Sequence, residues 1–132
     1  MFVIKTAVIA DDEQLSCDLI KHLIETNHLP LKVIGQANDG EEALTLLAAL
    51  KPDIVFLDIQ MPVLNGLEVM EKIIKDNNST SFVVITAYDY FEYAQASLRL
   101  GAKDILLKPV ESKQFMEMAE RVLGYRYTDN PI

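Results

Sequence analysis

The chain has no tryptophan, one cysteine, and only five glycines and five prolines in 132 residues. A lone Cys17 excludes an internal disulfide, and no Cys/His set has zinc spacing. No internal repeat or low-complexity tract is present, and nothing resembles a linker before about Gly124. Long hydrophobic runs are missing too. None approaches the roughly 20 apolar residues of a membrane helix. The opening MFVIKTAVIA is a short apolar run without a cleavage-like segment, so no signal peptide is expected. Basic residues are in deficit, 12 against 20 acidic, for a formal net charge of −8. Such a domain repels phosphate backbones, which argues against direct nucleic-acid binding by these residues. The expected setting is the cytoplasm, with no membrane contact.

What is present is ordinary globular composition, 50% apolar and 24% charged, at a length that suits one domain with one core. Short apolar runs recur at Ala7–Ala10, Lys32–Gly35, Ile54–Leu57, Phe82–Ile85 and Ile105–Leu107. They do not alternate with polar residues, the pattern of strands covered on both faces. Segments of helical period lie between and after them. Leu15, Leu19, Ile20, Leu23 and Ile24 mark the first stripe. Ala43, Leu44, Leu47 and Ala48 mark the second, opened by a capping region at Asn38-Asp39-Gly40. Leu67, Met70, Ile73 and Ile74 form the third, after Asn65-Gly66, whose pairing favours a left-handed turn. Phe91, Ala94 and Leu98, with Tyr90 before them, form the fourth, which Gly101 ends. Phe115, Met118, Ala119, Val122 and Leu123 form the fifth, after Ser112. Strand and helix alternating five times predict an α/β doubly wound parallel sheet with helices on both faces.

In such sheets, sites form outside the carboxyl ends of the strands. Asp11-Asp12-Glu13 follows the first apolar run, Asp58 the third, Thr86 the fourth, and Lys108-Pro109 the fifth. Each has an ordinary reading alone. The acidic triplet could cap a helix, Asp58 could begin a turn, Thr86 could be a strand-end hydroxyl, and Lys108 a solvated lysine. Placement of all four at one sheet edge favours a shared site. If the first and third strands are neighbours, Asp11, Asp12 and Asp58 converge. Three carboxylates so close repel unless a cation neutralises them, and Mg²⁺ suits one or two carboxylates plus phosphate oxygens. A carboxylate beside Mg²⁺ can accept a phosphoryl group, with Lys108 and Thr86 available to its oxygens.

The segments AVIADDE, DIVFLDIQMPVLNG, VVITAYD and GAKDILLKP, in this order and spacing, resemble the response-regulator receiver family of two-component signalling. The resemblance covers about residues 4 to 123. It implies a flavodoxin-like, five-stranded sheet in order 2-1-3-4-5 with five helices. It implies Asp58 as phosphoacceptor, with Mg²⁺ held by Asp12, Asp11, Asp58 and the Gln60 backbone carbonyl. Lys108 would pair with phosphoryl oxygens, Thr86 would be the switch hydroxyl with the small Ala87 beside it, and Lys108-Pro109 a cis-proline turn. Gln60 and Tyr88 occupy positions that tune phosphoryl lifetime in the family. Ile105 departs from the pattern, because many receivers carry Tyr or Phe there as part of the switch.

The resemblance also implies partners: a sensor histidine kinase, an output domain on this or another chain, and a homodimer through the helix 4–strand 5–helix 5 face. Residues 1–124 would be the receiver, and 125–132 a tail or the start of a linker to an output domain. The stretch TAYDYFEYAQASLRLGAKDILLKPVE resembles receivers of arabinose-regulator-type transcription regulators. Two other classes compete. A receiver-like module independent of phosphate is opposed by the complete Asp11, Asp12, Asp58, Thr86 and Lys108 set. Aspartyl-phosphate hydrolases want a second acid where this chain has Gln60, and flavodoxins want a Ser/Thr/Gly-rich loop where it has Asp11-Asp12-Glu13. Cys17 is expected to be a buried inert thiol, and His22 and His28 surface or packing residues.

Overall fold

A computed structural model describes residues 3–76, 79–87 and 91–124. The apolar runs are five parallel strands in the order β2-β1-β3-β4-β5: β1 (Lys5–Ala10), β2 (Leu31–Ala37), β3 (Ile54–Asp58), β4 (Ser81–Thr86) and β5 (Asp104–Leu107). Five helices connect and follow them: α1 (Gln14–Thr26), α2 (Gly40–Leu50), α3 (Gly66–Lys75), α4 (Phe91–Leu100) and α5 (Ser112–Leu123).

The strand period of two sends alternate residues to opposite faces, and both faces are apolar because both are covered. Ala7, Ile9, Ile54, Phe56, Val83, Ile85 and Leu106 face α1 and α5, where they pack with Cys17, Ile20, Phe115 and Met118. The Phe56 and Phe115 rings meet at a centroid distance of 5.6 Å with their planes 32° apart. Val8, Ala10, Val55, Leu57, Phe82 and Val84 face α2, α3 and α4, packing with Leu47, Val69, Met70 and Ala94.

Helix phase departs from expectation in several places. Leu15 is 84% exposed, since it lies in the first turn of α1, before the helix meets the sheet. Ala48 is exposed, and Ile74 lies at the edge of its stripe, 38% exposed. On α4 the buried residues are Ala94 and Ser97, while Phe91 and Leu98 lie about half exposed. The small residues let this helix approach the sheet, and the large ones turn outward.

Asn65-Gly66 is also not a left-handed turn. Asn65, at φ −78°, caps α3 through a reciprocal capping box with Glu68. Gly66 is needed for a different reason: a Cβ there would lie 2.5 Å from the Asp58 carbonyl oxygen. This close approach anchors the start of α3 under the end of β3, and the Gly66 amide donates to the Ile59 carbonyl at 2.8 Å. Gly101, at φ +109°, does end α4.

Candidate functional site

Strand register brings the polar residues together. Ala10 pairs with Leu57, Asp58 with Ile85, and Thr86 with Leu107, so β1, β3, β4 and β5 end at one level. The residues at or just beyond these ends, Asp11, Asp58, Thr86 and Lys108, therefore share one edge. The Lys108 amide donates to the Thr86 carbonyl at 2.9 Å, which fixes the fifth strand's exit, and the Lys108–Pro109 peptide is cis.

At this edge lies a cleft of about 500 Å³ lined by Asp12, Glu13, Asp58, Gln60, Ala87 and Lys108, with Met61 and Pro62 on its rim. Asp11 is 1% and Asp58 4% exposed. The Lys108 ammonium sits between them, 3.0 Å from Asp11 Oδ2 and 3.2 Å from Asp58 Oδ2, and it donates a shorter hydrogen bond to Glu13 Oε1. Asp58 Oδ1 accepts from the Gln60 amide at 3.2 Å, and Asp11 Oδ1 from the Glu13 amide at 2.9 Å. Asp11 Oδ2 is buried and accepts no well-directed hydrogen bond, so the nearby ammonium meets it as charge only. Thr86 is fully buried, and its hydroxyl donates to the Ala87 carbonyl at 3.1 Å, along its own chain.

Burial, and then the negative charge of Asp11, push the Asp58 carboxyl up from 3.8 to about 7, against the lowering pull of Lys108. Burial alone would lower the Lys108 ammonium. Its hydrogen bond to Glu13 and the nearby charges of Asp58 and Asp11 outweigh that and hold it above the ordinary lysine range. One cation thus faces several acids. Asp11, Asp12, Glu13 and Asp58 bring carboxylate oxygens within 4.8 Å of one another. A buried carboxylate oxygen without a directed hydrogen bond, beside a solvent-open acidic cleft, belongs to a donor set that suits a hard divalent cation such as Mg²⁺.

Asp11, Asp58 and Lys108 are thus in direct contact, and Asp12, Gln60 and Ala87 line the same cleft. Tyr88 and Tyr90 lie outside the described residues. Ile105 is half-buried, pairs with Val84, and packs toward the α2–α4 side. Sequence reasoning placed Glu13 in the acidic triplet but gave it no role of its own. Its contact with Lys108, 95 residues away, has no local signal in the sequence. Cys17 is buried, its thiol pushed up to about 11 by burial first, and both histidines are exposed.

An α/β sheet of this order, with buried acids and a lysine at its carboxyl edge, defines a class that comparison with known proteins identifies. Residues 7–120 match the response regulator receiver domain model, and the chain belongs to that family. It is 34% identical over 117 residues to YesN of Bacillus subtilis, an uncharacterized transcriptional regulatory protein, covering 89% of this chain and 32% of YesN. It is 32% identical over 119 residues to the protein CcdB of the same organism, covering 89% of this chain and 97% of CcdB. The receiver domain of AraT, a response regulator from Geobacillus stearothermophilus, superposes with a TM-score of 0.82 at 36% identity, covering 89% of this chain and 92% of that one. The chain spans about a third to a half of the length of YesN and of two Vibrio cholerae response regulatory proteins that it also matches. Among the described residues, no helix is long and apolar enough to cross a membrane.

Proposed function

We propose that this receiver domain is a phosphorylation-activated switch that accepts a phosphoryl group from a sensor histidine kinase onto Asp58. The reading is carried by one observation: the Lys108 ammonium bridges the buried Asp11 and Asp58 carboxylates at the mouth of the acidic cleft. Asp11, Asp12, Asp58 and the Gln60 backbone carbonyl would hold Mg²⁺ there. Bound, the ion would supply positive charge against both the carboxylates and the phosphoryl oxygens.

The chain's own groups divide the remaining work. An ionised Asp58 oxygen attacks phosphorus, and the O–P bond forms as the donor's N–P bond breaks. The imidazole nitrogen leaves with the bonding electron pair. Lys108 meets a phosphoryl oxygen as a point charge, which matters because the group adds roughly −1.5 to −2 charges. Thr86, whose hydroxyl bonds its own chain in this unphosphorylated state, turns toward the phosphoryl group, and the small Ala87 leaves room. Gln60 and Tyr88 tune the access of water and hence the lifetime. With Ile105 at the position where many receivers carry a ring, the shift proceeds through Thr86 and α4 rather than through an aromatic rotation.

The output surface is the α4–β5–α5 face, which also supports homodimerisation. Phe91, Tyr93, Leu98 and Leu107 are all exposed there, more apolar surface than a plain solvent face carries. Residues 1–124 form the receiver, and 125–132 the tail or linker toward an output domain, in this chain or a partner. Similarity to YesN supports transcription regulation as the output, in the cytoplasm, with DNA contacted by other residues than these. The test is intact-mass spectrometry after incubation with Mg²⁺ and a small acyl phosphate. One added phosphoryl mass that needs Mg²⁺ and is absent in Asp58→Asn is expected. No gain, with a matched kinase also failing, would replace this reading by a phosphate-independent interaction module.

A further inference from the structure

Resting on the reading of Asp58 as phosphoacceptor, we infer that Glu13 is a positioning residue: it holds the Lys108 ammonium in the unphosphorylated state and gives it up to the phosphoryl group.

An ammonium has three N–H donors. Lys108 donates to Glu13 and Asp58 and lies 3.0 Å from Asp11 Oδ2, so its ammonium is enclosed by three carboxylates. A new phosphoryl oxygen competes with them for the ammonium, and the acid that is least costly to displace gives way. Asp11 and Asp58 are the poor candidates. Their side chains are 1% and 5% exposed, so water cannot replace the lost cation, and a buried carboxylate left unpaired is costly. Glu13 is 61% exposed, carries one more methylene, and is rehydrated as it lets go. Of the three acids it is therefore the one that is cheapest to exchange.

The local structure agrees. Glu13 is the N-cap of α1, yet its side chain makes no capping hydrogen bond. A side chain at that position ordinarily serves the helix's free amides. Here it is turned across the cleft to a lysine on the far strand, while its backbone amide is tied to Asp11 Oδ1 at 2.9 Å. Glu13 thus stands on the same anchor as the buried acid beside it, and its reach is set by side-chain length alone.

The experiment compares the wild-type protein, Glu13→Gln and Glu13→Asp at saturating Mg²⁺, following phosphoryl incorporation from a small acyl phosphate. In the metal-free proteins the side-chain ammonium signal of Lys108 is followed by ¹H–¹⁵N NMR. Glu13→Gln should label about two- to fivefold faster, the range set by what an exposed ion pair is worth. Glu13→Asp keeps the charge but loses the reach. It should also label faster than wild type, and both variants should shift the Lys108 ammonium signal. A Glu13→Asp protein that labels at the wild-type rate beside a fast Glu13→Gln would overturn the inference, leaving general charge repulsion of the donor as the cause. Unchanged Lys108 signals in both variants would overturn it too. Wild-type protein that takes up no phosphoryl group would instead remove the reading of Asp58 on which it rests.

Discussion

Both ends of the sheet use aspartates to tie strands together, and they treat them in opposite ways. At the amino end, Asp53 Oδ2 accepts from the Thr6 amide at 2.8 Å and from the Thr6 hydroxyl at 3.2 Å, and that hydroxyl accepts from the Asp53 amide at 3.0 Å. Beside it the Thr80 hydroxyl donates to the Pro52 carbonyl at 2.7 Å. The exposed Asp53 carboxylate there has neutral donors as partners, and the buried Thr80 hydroxyl has a carbonyl. At the carboxyl end, Asp11 and Asp58 are buried together, one oxygen lacks a directed partner, and one lysine serves three acids. The amino end is a finished structural joint. The carboxyl end holds charge that the fold alone does not satisfy, and such unsatisfied polarity is where a ligand contributes most.

The sharpest break in this comparison is Asp58→Asn. Phosphoryl incorporation should vanish, while the metal-free variant should melt higher than wild type at pH 8, because it removes one of two mutually repelling buried charges. A lower melting temperature would mean that the bond to Lys108 outweighs the repulsion.

The pH dependence comes next. In the folded protein Asp58 keeps its proton up to about pH 7, whereas an ordinary aspartate has lost it above 3.8. Between those values the folded state binds more protons than the unfolded chain. The contribution of Asp58 to stability is therefore fully present below the lower value and is lost as pH rises through the higher one. Mg²⁺ competes with that proton, so its apparent affinity should rise on the order of tenfold between pH 6 and pH 8, a proton being released on binding. Titration calorimetry in buffers of different ionisation heat measures both. A flat affinity over this range would show that Asp58 is already ionised at pH 6.

At the amino end the expected change is structural only. Asp53→Ala removes exposed hydrogen bonds and should cost about 1–2 kcal/mol by urea denaturation. The rate of phosphoryl incorporation should stay at the wild-type value. A large change in that rate would mean that the two ends are coupled through β1 and β3.

The sheet and the convergence of Asp11, Asp58 and Lys108 were legible because both rest on strand ends. Apolar runs such as Ile54–Leu57 mark strands covered on both faces, and the rule for carboxyl edges turns the residue after each run into a candidate. Helix faces were less legible. Periodicity shows that α4 has a stripe, but Phe91 and Leu98 turn outward because Ala94 and Ser97 are the residues small enough to meet the sheet. The need for Gly66 was visible only as a turn signal, since its cause is a close approach to the Asp58 carbonyl, eight residues upstream in the chain. Glu13 stayed without a role because its partner is 95 residues away.

The smallest effect sharpens the comparison at the level of the backbone. Left-handed residues at the amino end, His28 at φ 52° and Lys51 at φ 45°, lie at or just past the ends of α1 and α2, where unbranched side chains tolerate the conformation. At the carboxyl end the left-handed residue is Val63, at φ 74°. The Leu64 amide donates to the Pro62 carbonyl at 2.9 Å across it, a three-residue γ-turn of the strained hand. A β-branched residue is poorly suited to this region, and Val63 is 69% exposed, so little burial compensates. The same Pro62 carbonyl accepts from the Gly40 amide at 3.0 Å, which ties α2 to the loop on the rim of the cleft. Val63→Gly should relieve the turn while adding freedom to the unfolded chain, leaving a net gain of about 0.5–1 kcal/mol in urea denaturation. A loss of stability would show that the Val63 side chain holds the loop, and that strain at this end is confined to the charges.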